Sequence, residues 1–146
     1  MELKTFWDFI SEFDESYHFH RKRIMNRFEL SAIEVDVLLF VANNPELDTS
    51  SDFSRLRKIA KSHVSLAVNS LSEKGYLEKK EDEKNRKKIH LVPTKKADDI
   101  VAFGRKEQKE FAQAIQQGIL EDEKEIMRNT MKRISQNLQT QYNKRK

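Results

Sequence analysis

The chain has 146 residues, about the length of one domain, since a single hydrophobic core usually serves roughly 100–200 residues. Because 37% of the residues are hydrophobic and 36% are charged, the apolar residues must be concentrated on particular faces. The formal net charge of +4 favours a polyanionic partner, but a charge of this size is common in other proteins and does not decide the partner. The absence of cysteine excludes disulfides, thiolate metal sites and thiol redox sensing, and without a signal peptide or an apolar span of about 20 residues we expect a cytoplasmic protein with no membrane partner.

The first predicted element is a long amphipathic helix that starts at Leu3. Its apolar residues recur at steps of three and four, which places on one helix face Leu3, Phe6, Trp7, Ile10, Phe13, Tyr17, Ile24 and Phe28. Four aromatic residues of this helix are either packing residues, which is the commoner use, or the lining of an aromatic effector pocket, and they are Trp7, Phe9, Phe13 and Tyr17. His18 and His20 would point about 200° apart on a helix, so this pair predicts no metal site.

Two capped helices are predicted next. Ser31 and Glu34 form a capping box, in which each side chain satisfies a free backbone amide at the start of a helix. This helix ends at Asn43-Asn44-Pro45, and its core-facing residues are Val35, Leu38, Leu39 and Val41. A second cap signal at residues 49–52 opens a short helix. The residues of the short helix that we expect to face inward are Phe53 and Leu56.

A longer helix is predicted over residues 61–74, after the turn Lys58-Ile59-Ala60. Its core-facing residues follow the helical spacing i, i+3, i+4 and i+7, at Val64, Ala67, Val68 and Leu71. Gly75 stands where a left-handed C-terminal cap would lie. The other face can contact base edges and phosphates in a major groove about 12 Å wide, and it carries Lys61, Ser62, His63, Ser65, Asn69 and Ser70.

Residues 76–80 and 87–92 have β-compatible composition and flank a wholly polar segment, so they predict a hairpin with a charged tip. Its basic side chains can straddle a DNA backbone and reach the minor groove, and they are Lys79, Lys80, Lys84, Arg86, Lys87 and Lys88. Pro93 and Thr94 then begin a long helix to about Gln117. After Gly118, acidic residues open a last helix, whose repeating apolar residues are Met127, Met131, Ile134 and Leu138, before a frayed tail at residues 143–146.

The order of short helix, turn, amphipathic helix, glycine and charged hairpin predicts a winged helix-turn-helix. The run DFSRLRKIAKSHVS at residues 52–65 resembles the paired helices of the MarR family of transcriptional regulators without a gap. LSEKGYL at residues 71–77 resembles the end of the second helix with the first wing strand of that family, and RKKIHLV at residues 86–92 resembles its wing arginine and return strand. The resemblance is strongest over residues 30–94.

The resemblance implies a fold that is mainly α with a small two-stranded β-wing. One domain over residues 1–146 would contain the winged part at residues 30–94 and helical dimerisation parts at residues 1–29 and 95–146. The implied function is sequence-specific binding of double-stranded DNA by a homodimer at a pseudo-palindromic operator. Family members commonly act as repressors that lose DNA affinity when a small molecule binds, and for this chain we expect a small aromatic effector. Some members use thiols or metals, but this sequence predicts no cofactor and no metal site. The expected DNA-binding residues are Lys61, Ser62, His63, Ser65, Leu66, Asn69, Lys84, Arg86 and Lys88.

Three positions depart from the family pattern. Lys84 stands where the wing commonly has an aspartate that orients the arginine, here Arg86, so one of the acidic residues 81–83 is left to take that role. Leu66 replaces a common arginine and predicts an apolar contact, as with a thymine methyl group, or no base contact. Lys58 replaces a common glycine, and holding it at positive φ would cost on the order of 1 kcal/mol.

Alternatives stay open beside this interpretation. The charged hairpin could be a solvated turn, and His63 either touches DNA or is only exposed. The main competing function is a winged-helix module that docks an acidic protein partner, while RNA binding is disfavoured because no aromatic ring is expected on the recognition surface. Acidic pairs such as Asp98-Asp99 suit helix starts, and the sequence has no phosphate loop, catalytic triad or zinc cluster, which argues against an enzyme.

Overall fold

A computed structural model describes residues 2–146. In chain order its elements are α1 (Leu3–Phe28), α2 (Ala32–Asn43), α3 (Ser50–Arg57), α4 (Lys61–Glu73), β1 (Leu77–Glu81), β2 (Ile89–Pro93), a 3-10 turn (Lys95–Ala97), α5 (Asp98–Ile115) and α6 (Glu121–Lys144). This order confirms the predicted fold class, helices with a two-stranded wing. The chain divides into two compact units, residues up to Phe111 and Ala112–Lys146, and the expectation of one domain stays a prediction.

The core of the first unit is built around α2, which contacts α1, α4 and β2. Because neighbours surround this helix, nearly all its apolar side chains are buried, and they are Val35, Val37, Leu38, Leu39, Phe40 and Val41. The sequence pattern predicted four of the six. Val37 and Phe40 lie outside the predicted stripe, and Phe40 packs its ring against Phe53 of α3 at 5.3 Å between centroids.

The structure confirms the predicted start of α2 and the left-handed residues predicted after α3 and α4. The Ser31 hydroxyl accepts a hydrogen bond from the Glu34 amide at 3.2 Å, and the Glu34 carboxylate accepts one from the Ser31 amide at 3.1 Å. Lys58 ends α3 with φ of 56°, and Gly75 follows α4 with φ of 81°, both in the left-handed region. The chain therefore keeps a left-handed turn between α3 and α4 although it lacks the common glycine there.

The inward position predicted for Leu56 is wrong. Phe53 is fully buried, whereas Leu56 is 42% exposed. Residues three apart on a helix differ by about 60° in direction, so a helix of 8 residues can bury one of them while the other lies at the edge of its buried face. The amphipathic pattern of so short a helix is too brief to separate the two positions.

Helix α5 comes unusually close to α2 at Gly104, which is buried. A Cβ atom at this position would lie 2.5 Å from Cδ2 and 2.8 Å from Cδ1 of Leu39. An alanine here would require the Leu39 side chain or one of the two helices to shift. The glycine thus fixes how near the first unit's part of α5 lies to the central helix.

The second unit contains the end of α5, a turn at Gly118 with φ of 78°, and α6. The Leu120 amide donates to the Glu123 carboxylate at 2.8 Å, as expected for an acidic helix start. Helix α6 continues to Lys144, so residues 143 and 144 are helical rather than frayed. No helix within residues 2–146 is both long enough and apolar enough to cross a membrane.

Candidate nucleic-acid interface

Helix α4 presents two distinct faces. Val64, Ala67, Val68 and Leu71 are buried as predicted and hold the helix on the first unit. The expected DNA-contacting residues of this helix are all exposed, and they are Lys61, Ser62, His63, Ser65, Leu66 and Asn69. Leu66 is 69% exposed, which is unusual for a leucine on a helix that buries its other apolar residues. All six of these side chains are therefore accessible to a ligand on one face of α4.

Ser70 differs from the rest of the polar face, because it is half-buried and bonds within the protein. Its hydroxyl donates to the Glu34 carboxylate at 3.1 Å, and Lys74 Nζ donates to the same oxygen at 2.8 Å. Burial alone would raise the pKa of Glu34, but the hydrogen bonds from Lys74, Ser31 and Ser70 together lower it. Glu34 is consequently charged at neutral pH and joins the start of α2 to the end of α4.

The wing is an antiparallel hairpin whose register pairs Leu77 with Pro93 and Glu81 with Ile89. The predicted helix start at Pro93 is wrong, because this residue is the last of β2 and the helical turn begins at Lys95. A proline at a strand end is permitted since it removes only one ladder hydrogen bond. The hairpin tip, residues 82–88, carries Lys84, Arg86, Lys87 and Lys88, and all four are exposed.

Asp82 orders the hairpin tip. Its carboxylate accepts hydrogen bonds from the amides of Lys84 and Asn85, both at 3.0 Å. The expected contact between an acidic residue and Arg86 is not present, since within residues 2–146 Arg86 makes neither a hydrogen bond nor an ion pair with another side chain. Asp82 therefore shapes the turn that displays Arg86 and does not hold its guanidinium.

His90 links the wing to the segment before α3. Its Nε2 lies 2.7 Å from Asp82 Oδ1, and its Nδ1 lies 2.8 Å from Asp48 Oδ1. The hydrogen bond with Asp82, followed by that with Asp48, raises the pKa of His90, and the hydrogen bond with His90 is the largest cause that lowers the pKa of Asp82. The protonated imidazole is favoured between two carboxylates, so the wing is tied down most firmly when His90 is charged.

A direct contact joins the wing to α4. Lys79 Nζ on β1 donates to Asn69 Oδ1 at 2.5 Å. The contact sets the exposed end of α4 beside the basic hairpin, so one surface includes both groups of expected DNA-binding residues. It also occupies the Asn69 carbonyl oxygen, which leaves the amide nitrogen of that side chain for a ligand.

A cavity of about 510 Å³ lies in the first unit among α1, α2, α3 and α5. Phe13 and Tyr17 contribute to its wall and also pack on Phe111, at 5.1 and 5.4 Å between ring centroids. These two aromatic residues thus serve packing and line the cavity at once. Of the other two aromatic residues considered for a pocket, Trp7 packs on Phe6 and Phe9 on Phe13, and neither lines this cavity.

The cavity holds a charged group that the sequence gave no reason to single out. Arg21 donates to Asp36 at 2.7 Å and lies 2.8 Å from His18 Nδ1, while its buried Nε has no hydrogen-bond partner among the described residues. Burial raises the pKa of Asp36, although Arg21, Arg57 and His18 oppose the rise. The only sequence signal for this group was a basic residue beside the aromatic stripe of α1.

The comparisons with known proteins agree with this geometry. Residues 28–88 match the family model described as MarR family, while no curated protein matches the chain. The transcriptional regulator PA3341 has the same fold, with a TM-score of 0.81 and 20% identity over 92% of this chain and 98% of the other. A MarR-family regulator from Listeria monocytogenes complexed with a 26-mer DNA has a TM-score of 0.78 and 17% identity, over 94% of this chain and 89% of the other. The MepR–DNA complex of S. aureus has a TM-score of 0.76 and 15% identity, over 94% of this chain and 96% of the other.

Proposed function

We propose that the chain is a MarR-type transcriptional regulator that binds double-stranded DNA, since residues 28–88 match the model of that family. The observation that carries the proposal is the exposed polar face of α4 beside a basic wing, joined by the bond between Lys79 and Asn69. Two of the structures with this fold are named as DNA complexes. The proposal assigns no residue a catalytic role, and a cytoplasmic location stays a prediction.

The two parts of the surface have different tasks in this proposal. Helix α4 enters the major groove, where Ser65 and Asn69 can bond to base edges and Leu66 can contact a thymine methyl group. The wing follows the backbone, where Lys84 and Lys88 neutralise phosphates. Arg86 extends from the hairpin tip toward the minor groove, whose width and potential depend on sequence. Lys61, Ser62 and His63 lie at the start of α4, where helix N-termini commonly contact phosphates.

We further propose a homodimer, because both long terminal helices expose large apolar side chains. On α1 these are Leu3, Trp7, Phe9, Ile10, Phe13 and Phe19, and on α6 they are Ile126, Met127, Met131, Ile134, Leu138 and Tyr142. A monomer rarely leaves so many such residues in water, and a second copy of the chain is the commonest cover. Two wings related by a twofold axis would bind a pseudo-palindromic operator with half-sites roughly 34–36 Å apart.

The cavity is the proposed binding site for an effector that releases DNA. The rings of Phe13, Tyr17 and Phe111 in its wall suit a small aromatic compound, and the guanidinium groups of Arg21 and Arg57 beside them suit an acidic group on that compound. The cavity is lined by α3 as well as α1, so a bound ligand would contact the helix that precedes the proposed recognition helix α4. We propose that the bound protein represses transcription and that the effector relieves this repression by releasing the DNA.

A mobility-shift assay tests the function. The DNA is the region upstream of the protein's own gene, compared with a scrambled duplex of equal length. We expect the parent to prefer the upstream duplex, and Ser65→Ala to lose about 1–3 kcal/mol of that preference if it contacts a base edge. The matched control is Ser11→Ala, an exposed serine on α1. If the parent binds neither duplex and captures an acidic protein instead, the protein-interaction alternative replaces this proposal.

A further inference from the structure

A second cluster of ionisable side chains lies in the first unit, outside the DNA-binding surface, where α1 faces α5. Glu107 is almost completely buried, with 1% of its surface exposed, and its Oε2 lies 2.8 Å from His20 Nδ1. Glu110 follows three residues later on α5, so its carboxylate lies on the same side of that helix. One ligand atom from each of His20, Glu107 and Glu110 lies within 4.8 Å of the others.

The buried carboxylate of Glu107 is only partly satisfied. Its Oε1 has no hydrogen-bond partner among the described residues. Besides His20, the cation beside it is Arg23, whose Nη1 donates to Glu107 Oε2 at 3.3 Å and lies 3.2 Å from Glu107 Oε1 and 3.8 Å from Glu110 Oε2. Arg23 is half-exposed and approaches from the solvent side. Since burying a carboxylate without full pairing costs free energy, this cluster favours a cation that binds both carboxylates more closely than Arg23 does.

We propose that His20, Glu107 and Glu110 bind one divalent transition-metal ion of the Zn²⁺ type, which displaces the guanidinium of Arg23. One imidazole nitrogen and two carboxylates form a ligand set that suits such an ion, whereas Ca²⁺ takes six to eight oxygen ligands, usually with none from imidazole. The set leaves a coordination position open for water or another ligand. The ion would join α1 to α5, 87 residues apart in sequence.

This site differs from the His18 and His20 pair that the helical geometry excluded. His18 lies against Arg21 at 2.8 Å, while His20 faces α5, so the two rings do not share an ion. Arg23 stands one helical turn after His20 and binds the same carboxylate. The metal ion and Arg23 therefore compete for the same carboxylates. Removal of Arg23 should strengthen metal binding, which would not happen if the cluster were only a structural ion pair.

Calorimetric titration of the full chain with Zn²⁺ in a non-chelating buffer tests the site, with Mg²⁺ as the comparison ion. We expect one Zn²⁺ per chain, and a Kd at least about 10-fold weaker for His20→Gln and for Glu110→Gln. Arg23→Ala should bind Zn²⁺ up to about five-fold more tightly, because little free energy is needed to release exposed ion pairs. Asp99→Asn, an exposed carboxylate on the same helix, is the matched control and should bind like the parent.

Several results would overturn the site. One is that the parent binds no Zn²⁺, and another is that His20→Gln and Glu110→Gln both bind Zn²⁺ with the Kd of the parent. A third is that Arg23→Ala binds Zn²⁺ more weakly than the parent, and the last is that the parent binds Mg²⁺ as tightly as Zn²⁺. Each of these results contradicts the proposed site. Circular dichroism melts establish that each variant is folded. Glu107 is left unchanged because a variant there would disturb the buried helix contact. The readout is metal binding itself, so the outcome is independent of whether the chain binds DNA.

Discussion

Replacement of Glu34 by glutamine tests how firmly the recognition helix α4 is attached to the core. The carboxylate uses Oε1 for the capping box with Ser31 and Oε2 for Lys74 and Ser70. Glutamine can keep the first contact through its carbonyl oxygen. Its amide nitrogen would then face Lys74 Nζ, so that two donors meet where a charged pair stood. The variant therefore removes the link to α4 and leaves the start of α2 capped.

The cost follows from the bonds that are lost. A hydrogen bond to a charged group contributes about 1.5–3 kcal/mol, but Lys74 is 39% exposed and water replaces part of its bond. We expect a loss of about 1–3 kcal/mol in the free energy of unfolding. For a chain of this size each kcal/mol shifts the Tm by about 2–4 °C, so the expected drop is about 2–12 °C.

Urea unfolding followed by circular dichroism measures this difference. The pKa of Glu34 is lowered in the folded protein, so its contribution is present above the ordinary value of 4.5 and is lost as the pH falls through the folded pKa. Parent and Glu34→Gln should thus differ at neutral pH and converge in acid. Glu73→Gln, an exposed carboxylate on α4, is the control. Equal stability of the parent and Glu34→Gln at neutral pH would refute the link.

Three other predictions concern the wing, the core and the association of chains. Because the folded protein raises the pKa of His90, the stabilisation by this residue is full below pH 6.5 and is lost as the pH rises through the folded pKa. Because the folded protein lowers the pKa of Asp82, the stabilisation by Asp82 is present above pH 3.8 and is lost as the pH falls through its folded pKa. The Tm values of His90→Gln and parent should therefore differ most between pH 3.8 and pH 6.5. A constant difference up to strongly alkaline pH would contradict this. Gly104→Ala should cost about 0–2 kcal/mol in urea unfolding, because crowding of Leu39 costs about 1–3 kcal/mol while alanine gains about 1 kcal/mol over glycine inside a helix. A variant more stable than the parent would show that Leu39 moves aside without cost. Light scattering should give a dimer mass at micromolar concentration and a smaller mass for Met131→Glu, whereas a monomeric parent would contradict the proposed dimer.

The helices and the capped ends of α2, α3 and α4 could be predicted from the sequence, because caps depend on neighbours within a few residues. Ser31 with Glu34 and the glycine at residue 75 are local signals, and each has the predicted geometry. The winged arrangement followed from the order of these elements. Leu56 was misplaced because eight residues carry too little periodicity to fix the buried face.

The contacts that position the candidate site could not be predicted, because they join residues distant in sequence. Lys74 meets Glu34 across 40 residues, and His90 meets Asp48 across 42. Glu107 looked like any charged residue of a polar helix, yet it is buried against α1. Each side chain has several charged candidates along the chain, and only the packed helices select one. The exposed DNA-binding residues stay predictions, since exposure alone identifies no ligand.

The central claim is that the basic wing and the polar face of α4 bind duplex DNA, and the salt dependence of binding tests it most directly. Binding isotherms at several salt concentrations should give a steep linear fall of log K with log salt concentration for the parent. Lys88→Ala should lower the magnitude of that slope by about one unit per protomer and weaken operator and scrambled duplexes alike, while the exposed Lys109→Ala on α5 should behave like the parent. Equal slopes and affinities for parent, Lys88→Ala and Arg86→Ala would contradict the account.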